Sequence, residues 1–96
     1  MSKVEEQDKR RWDFLVAVFE ATDGGSSMKD VALSEIEAKL RITYEQAEDV
    51  FDYLRGQGLV EVRGMDGQIG LTPKGRAGVE NALRQPPPAN PVGFRL

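Results

Sequence analysis

The sequence predicts a mostly helical α+β domain: three helices, a two-stranded β-hairpin, then a last helix. Three observations carry that expectation. Apolar residues recur at helical spacing before Gly56, the spacing turns to strand-like over residues 59–71, and Thr72-Pro73 reopens a helical pattern. The chain has 96 residues, 40% of them hydrophobic and 30% charged, which suits one small globular domain.

The first helix is expected from about Ser2 to Thr22. Ser2 followed by Glu5 suits a capping box, and Asp23-Gly24-Gly25-Ser26-Ser27 stops the helix. Around its circumference two apolar faces separate. Trp12, Leu15, Val16 and Phe19 share one, with Trp12 as a core anchor; Phe14, Ala17, Val18 and Ala21 share the other. A helix that is apolar on both sides is normally covered on both. For the Phe14-Ala17-Val18-Ala21 face two covers stand open. One is a second copy of the chain in an isologous homodimer; the other is the last helix with Val92, Phe94 and Leu96.

Ser34-Glu35-Ile36-Glu37 reads as the capped start of a short second helix, with Ile36 and Leu40 facing inward. Thr43-Tyr44-Glu45-Gln46 repeats the capping pattern, and Ala47, Val50, Phe51 and Leu54 form the apolar stripe of a third. Gly56 and Gly58 end it. Two short helices joined by a tight turn at Arg41-Ile42 outline a helix-turn-helix. Tyr44 and Tyr53 flank the stripe as boundary residues, and Tyr44, at the helix start, is the better placed for a partner.

Leu59-Val60-Glu61-Val62-Arg63 and Gln68-Ile69-Gly70-Leu71 flank Gly64-Met65-Asp66-Gly67, a hairpin with Asp-Gly turn chemistry. Thr72 then caps a helix with Pro73 at its first position. Gly75, Val79, Ala82 and Leu83 are expected inside; Lys74, Ala77, Asn81 and Arg84 face away. Four of the five prolines fall at residues 86–91, so the domain is placed at residues 1–84 and an extended, proline-rich tail at 85–96.

Composition excludes much chemistry. With no histidine and no cysteine, Cys- or His-based zinc sites, thiol nucleophiles, Ser-His-Asp triads and disulfides are absent. No Gly-rich stretch matches a phosphate loop or a dinucleotide fingerprint. No catalytic residue, cofactor or metal is therefore expected, and the protein is not expected to be an enzyme. Glu45, Glu48, Asp49 and Asp52 share a helix face, yet one helix rarely gives calcium its six or more ligands, so a solvated face is expected. The longest apolar run, Phe14 to Phe19, is too short for a bilayer, and a cytoplasmic location is the default expectation.

The stretch from Ser34 to Leu54, followed by "GLVEV" at 58–62 and "LTPKG" at 71–75, resembles winged helix-turn-helix domains of prokaryotic transcription regulators. The general layout is shared by the MarR-like and PadR-like groups, and the resemblance covers roughly residues 10–84. It implies a winged-helix fold and double-stranded DNA as partner, with the third helix in the major groove and the wing on the backbone or minor groove. Carried onto this chain, the groove-facing positions are Thr43, Tyr44, Glu45, Glu48, Asp49 and Asp52. Thr43, Tyr44, Arg63, Lys74 and Arg76 are the DNA-contact candidates. The resemblance also implies dimers built through terminal helices.

Charge runs against that implication. Net charge is -3, but residues 34–58 carry three basic residues against six acidic ones, while residues 59–96 carry five against three. The acid sits on the helix that would face a duplex bearing one negative charge per ~1.7 Å. On the resemblance, the function expected is a non-enzymatic regulatory module of DNA-binding transcription-regulator type; the alternative is a winged-helix protein-interaction module, without DNA binding, whose acidic third helix meets a basic protein partner.

Overall fold

The computed structural model of the chain describes residues 3–64 and 66–84. Within them lie α1 (Lys3–Ala21), β1 (Val31–Ala32), α2 (Leu33–Leu40), α3 (Tyr44–Gly56), β2 (Val60–Val62), β3 (Gln68–Leu71) and α4 (Pro73–Arg84). The fold is α+β and mostly helical. The expected caps at Ser2 and the tail at 85–96 lie outside the described residues.

The hairpin is part of a larger sheet than the sequence predicts. All three strands are antiparallel, in the order β1-β3-β2, so β3 is central. Val31 pairs with Ile69 and Ala32 with Gln68, while Val60, Glu61 and Val62 pair with Leu71, Gly70 and Ile69. β1 is only two residues long, too short for any alternation to be read from sequence. Its position also corrects the expected start of α2. The cap position is Ala32 and not Ser34, and no side chain caps it. The helix starts directly off the strand, and the Leu33 N–H is taken by the Gly67 carbonyl at 3.0 Å.

α3 begins as its sequence predicts. The Thr43 hydroxyl accepts from the Gln46 N–H at 3.1 Å, and the Gln46 side-chain oxygen accepts from the Thr43 N–H at 3.0 Å. The turn before it is tight because Arg41 adopts a left-handed conformation (φ 56°), and the Arg41 and Ile42 N–H groups both reach the Glu37 carbonyl.

One apolar core joins all layers. Phe14, Leu15, Ala17 and Val18 of α1 are buried with Ile36, with Ala47, Val50, Phe51 and Leu54 of α3, with Val31, Leu59, Val60, Ile69 and Leu71, and with Val79 of α4. Trp12 and Phe19 pack against it from the rim. α1 is the central helix, in contact with α2, α3, α4 and β3. The face carrying Phe14, Ala17 and Val18 is therefore covered within the monomer, while on the other face Leu15 is buried and Trp12, Val16 and Phe19 are half-buried. Phe14, Ala17 and Val18, considered above for a dimer interface, are at most 2% exposed and cannot meet a second copy. Ala21 alone of that set is exposed.

The "LTPKG" stretch is a junction. The Thr72 hydroxyl donates to the Gly58 carbonyl and accepts from the Gly75 N–H at 3.0 Å, capping α4, while the Thr72 N–H donates to the Leu59 carbonyl. Gly75 lies so close to β2 that a Cβ there would stand 2.0 Å from the Leu59 carbonyl oxygen. Farther along, Leu83 departs from the expected inner face. It is 58% exposed, because α4's last turn has passed the edge of the core.

Candidate functional site

The most distinctive surface is the outer face of α3. With Ala47, Val50, Phe51 and Leu54 turned to the core, the helical repeat places Glu45, Glu48, Asp49 and Asp52 outside, and all four are exposed. Among the described residues none of the four has an ion-pair partner within 4 Å, and the ion pairs these residues form lie elsewhere. Tyr44, 57% exposed, opens this face. Its hydroxyl is held by the Glu48 carboxylate, first through hydrogen bonding and then through charge, with smaller contributions from desolvation, Glu37 and Asp52. Together these raise the phenol above its ordinary 10.0. The described carboxylates form no group able to hold a metal ion.

The DNA-contact candidates are not brought together as one basic surface. Thr43 is engaged in the capping box, its hydroxyl as acceptor and its N–H as donor. Arg63 is turned inward, its side chain only 13% exposed. Its Nη1 donates to the Ser26 carbonyl at 3.0 Å and the Lys29 carbonyl at 2.7 Å, its Nη2 to the Leu71 carbonyl, and its Nε to Glu61 at 3.2 Å. A guanidinium with five donors in a rigid fork suits such a multiple clamp. Arg63 therefore ties the hairpin to the loop between α1 and β1 and has no free edge for a phosphate. Lys74 Nζ donates to the Gln57 carbonyl at 2.9 Å, across the end of α3. Arg76 pairs with Glu80 at 3.0 Å on α4 and stays exposed.

A second feature was invisible in the sequence. An open groove of about 290 Å³ runs between α1 and the α2–α3 turn, with Glu6, Lys9, Arg10 and Asp13 along one side and Leu40 and Ile42 on the other. The four α1 residues share a helical face, and Lys9 and Asp13 are paired at 2.9 Å. Its charges balance and its apolar strip is narrow. Beside it Arg11 lies over the Tyr53 ring, 3.6 Å from the centroid, fastening α1 to α3.

No known family model, curated protein or solved structure matches the chain. No helix among the described residues is long and apolar enough to cross a membrane.

Proposed function

We propose that the chain is a non-enzymatic winged helix-turn-helix module of regulatory type that acts by protein contact, its third helix meeting a basic partner. The layout supports the winged-helix part. α2 and α3 are separated by three residues, the β2–β3 hairpin stands where a wing stands, and the short β1 closes the sheet beside it. The observation that carries the choice of partner is the outer face of α3: four exposed carboxylates with no ion-pair partner within 4 Å among the described residues. A duplex would meet that face with like charge, and phosphate neutralisation dominates nucleic-acid affinity. A basic protein surface meets it with opposite charge, which speeds encounter and fixes register.

The layout itself favours the second reading, a DNA-binding transcription regulator. One titration separates the two. A fluorescent lysine-rich peptide and a random-sequence duplex are each titrated with the protein at low salt. The expected result is peptide binding that weakens as salt rises. It should drop when Glu45, Glu48, Asp49 and Asp52 are neutralised to Gln or Asn, and hold when Glu6, Asp8, Asp13 and Glu20 of α1 are neutralised instead. Peptide binding that responds equally to both sets overturns the assignment to α3. A duplex complex that strengthens with Glu48→Gln and weakens with Lys74→Ala establishes the DNA reading in its place.

A further inference from the structure

The sequence contains two Asp-Gly steps, Asp23–Gly24 and Asp66–Gly67, and the fold treats them in opposite ways. Both glycines have positive φ, 83° and 74°, and neither carries a Cβ to shield its nitrogen. Asp23 closes α1. The Gly24 N–H donates to the Phe19 carbonyl at 2.8 Å, and the Asp23 carboxylate is paired with Lys29 Nζ at 2.8 Å. Nucleophile and electrophile are thus each held by another group. At the wing turn, Asp66 and Gly67 are both exposed. Among the described residues the Gly67 N–H has no acceptor and the Asp66 carboxylate no cation.

We propose that Asp66 is a site of spontaneous backbone modification, cyclising to a succinimide and reopening as isoaspartate, while Asp23 is protected by its cap. In the first step the Gly67 nitrogen attacks Cγ of Asp66. A C–N bond forms, the nitrogen loses its proton, and a side-chain oxygen leaves as water. In the second, water adds to one of the two ring carbonyls. Addition at Cγ restores aspartate; addition at the α-carbonyl breaks the original peptide bond, leaving Gly67 joined through the side chain. One water leaves and one enters, so no other reactant is needed.

The consequence falls on a joint of the fold. The Gly67 carbonyl holds the Leu33 N–H, the first of α2, and the next residue, Gln68, pairs with Ala32. Isoaspartate inserts one extra backbone carbon immediately before that joint and leaves a free carboxylate at the turn. The wing turn then loses its register with the start of α2.

The test uses oxygen-18 water, because each succinimide hydrolysis installs one heavy oxygen. The folded protein is incubated in it at neutral pH, then digested with trypsin in ordinary water. Cleavage after Arg11, Lys29, Arg63 and Lys74 puts the two steps in separate peptides, residues 12–29 and 64–74. The expected result is label and a second chromatographic isomer in 64–74, accumulating about tenfold faster than in 12–29, the factor that a retained hydrogen bond and ion pair imply. In denaturant the two rates should converge, and Asp66→Glu should abolish label at 64–74, since a six-membered ring closes far more slowly. Equal labelling of the two peptides in the folded protein overturns the proposal. So does an unlabelled 64–74 after a time in which the denatured chain labels at both steps.

Discussion

Arg63 fills the space that a side chain at position 70 would need: a Cβ on Gly70 would stand 2.5 Å from the Arg63 guanidinium carbon. Gly70 pairs with Glu61, and Arg63, just past the end of β2, stands diagonally across from it on the face of the sheet away from Val60 and Leu71. Gly70 has no side chain, and the guanidinium takes that place to reach three backbone carbonyls and Glu61.

Arg63→Ala should therefore destabilise the fold by about 2–4 kcal/mol, since three carbonyl hydrogen bonds, two of them part-buried, go with it. Gly70→Ala should cost about 1–3 kcal/mol by displacing the guanidinium. The two losses should not add. In the Arg63→Ala background the Gly70→Ala penalty should nearly vanish in a denaturant-melt double-mutant cycle.

Gly75 and Gly56 make opposite predictions for the same substitution. Alanine at 75 is driven into the Leu59 carbonyl, which is backbone and cannot swing away, so a loss above about 2 kcal/mol is expected despite the better helix propensity. Alanine at 56 meets nothing within 4 Å and should stabilise the chain by roughly 0.5–1 kcal/mol. Paired thermal melts read both signs.

Arg41 holds a left-handed backbone at the end of α2. Arg41→Gly should raise stability by up to about 1 kcal/mol, because glycine enters that conformation without steric penalty. A fall in melting temperature would show instead that the arginine side chain anchors the turn.

On α3, Asp49 lies one turn from both Glu45 and Asp52, so like charges crowd a helix interior in which aspartate is a poor former. Asp49→Ala should stabilise the fold by about 0.5–1 kcal/mol at low salt and by less at high salt. The same variant should weaken binding of the lysine-rich peptide. Stability and binding would then move in opposite directions at one residue.

Tyr44 should titrate above an ordinary tyrosine, followed through its ring carbon signal, and Glu48→Gln should bring it down. The folded chain holds this proton more tightly than the unfolded chain does. Its stabilising contribution is thus complete below the ordinary tyrosine range and is lost as pH rises through the higher folded value. Glu48→Gln should flatten stability over that alkaline window.

The local elements were legible in the sequence because their causes are local. Thr43 and Gln46 cap α3 from three residues apart, Thr72 and Pro73 start α4, and the stripe Ala47-Val50-Phe51-Leu54 fixes which way α3 faces. With that stripe inward, the exposed acidic face follows from the helical repeat alone. What tertiary structure decided was every matter of which distant groups meet. Val31-Ala32 becomes a strand only because β3 offers it a partner, and α2 then starts at Leu33 without the cap that Ser34 advertised. Phe14, Ala17 and Val18 read as a second apolar face, and only the packing of α1 amid α2, α3, β3 and α4 shows that face to be core. Arg63 reads as a wing cation; three carbonyls brought together from Ser26, Lys29 and Leu71 make it a clamp. Short-range hydrogen bonds and periodicity are written within a turn or two of chain, whereas contacts across tens of residues depend on how the core closes.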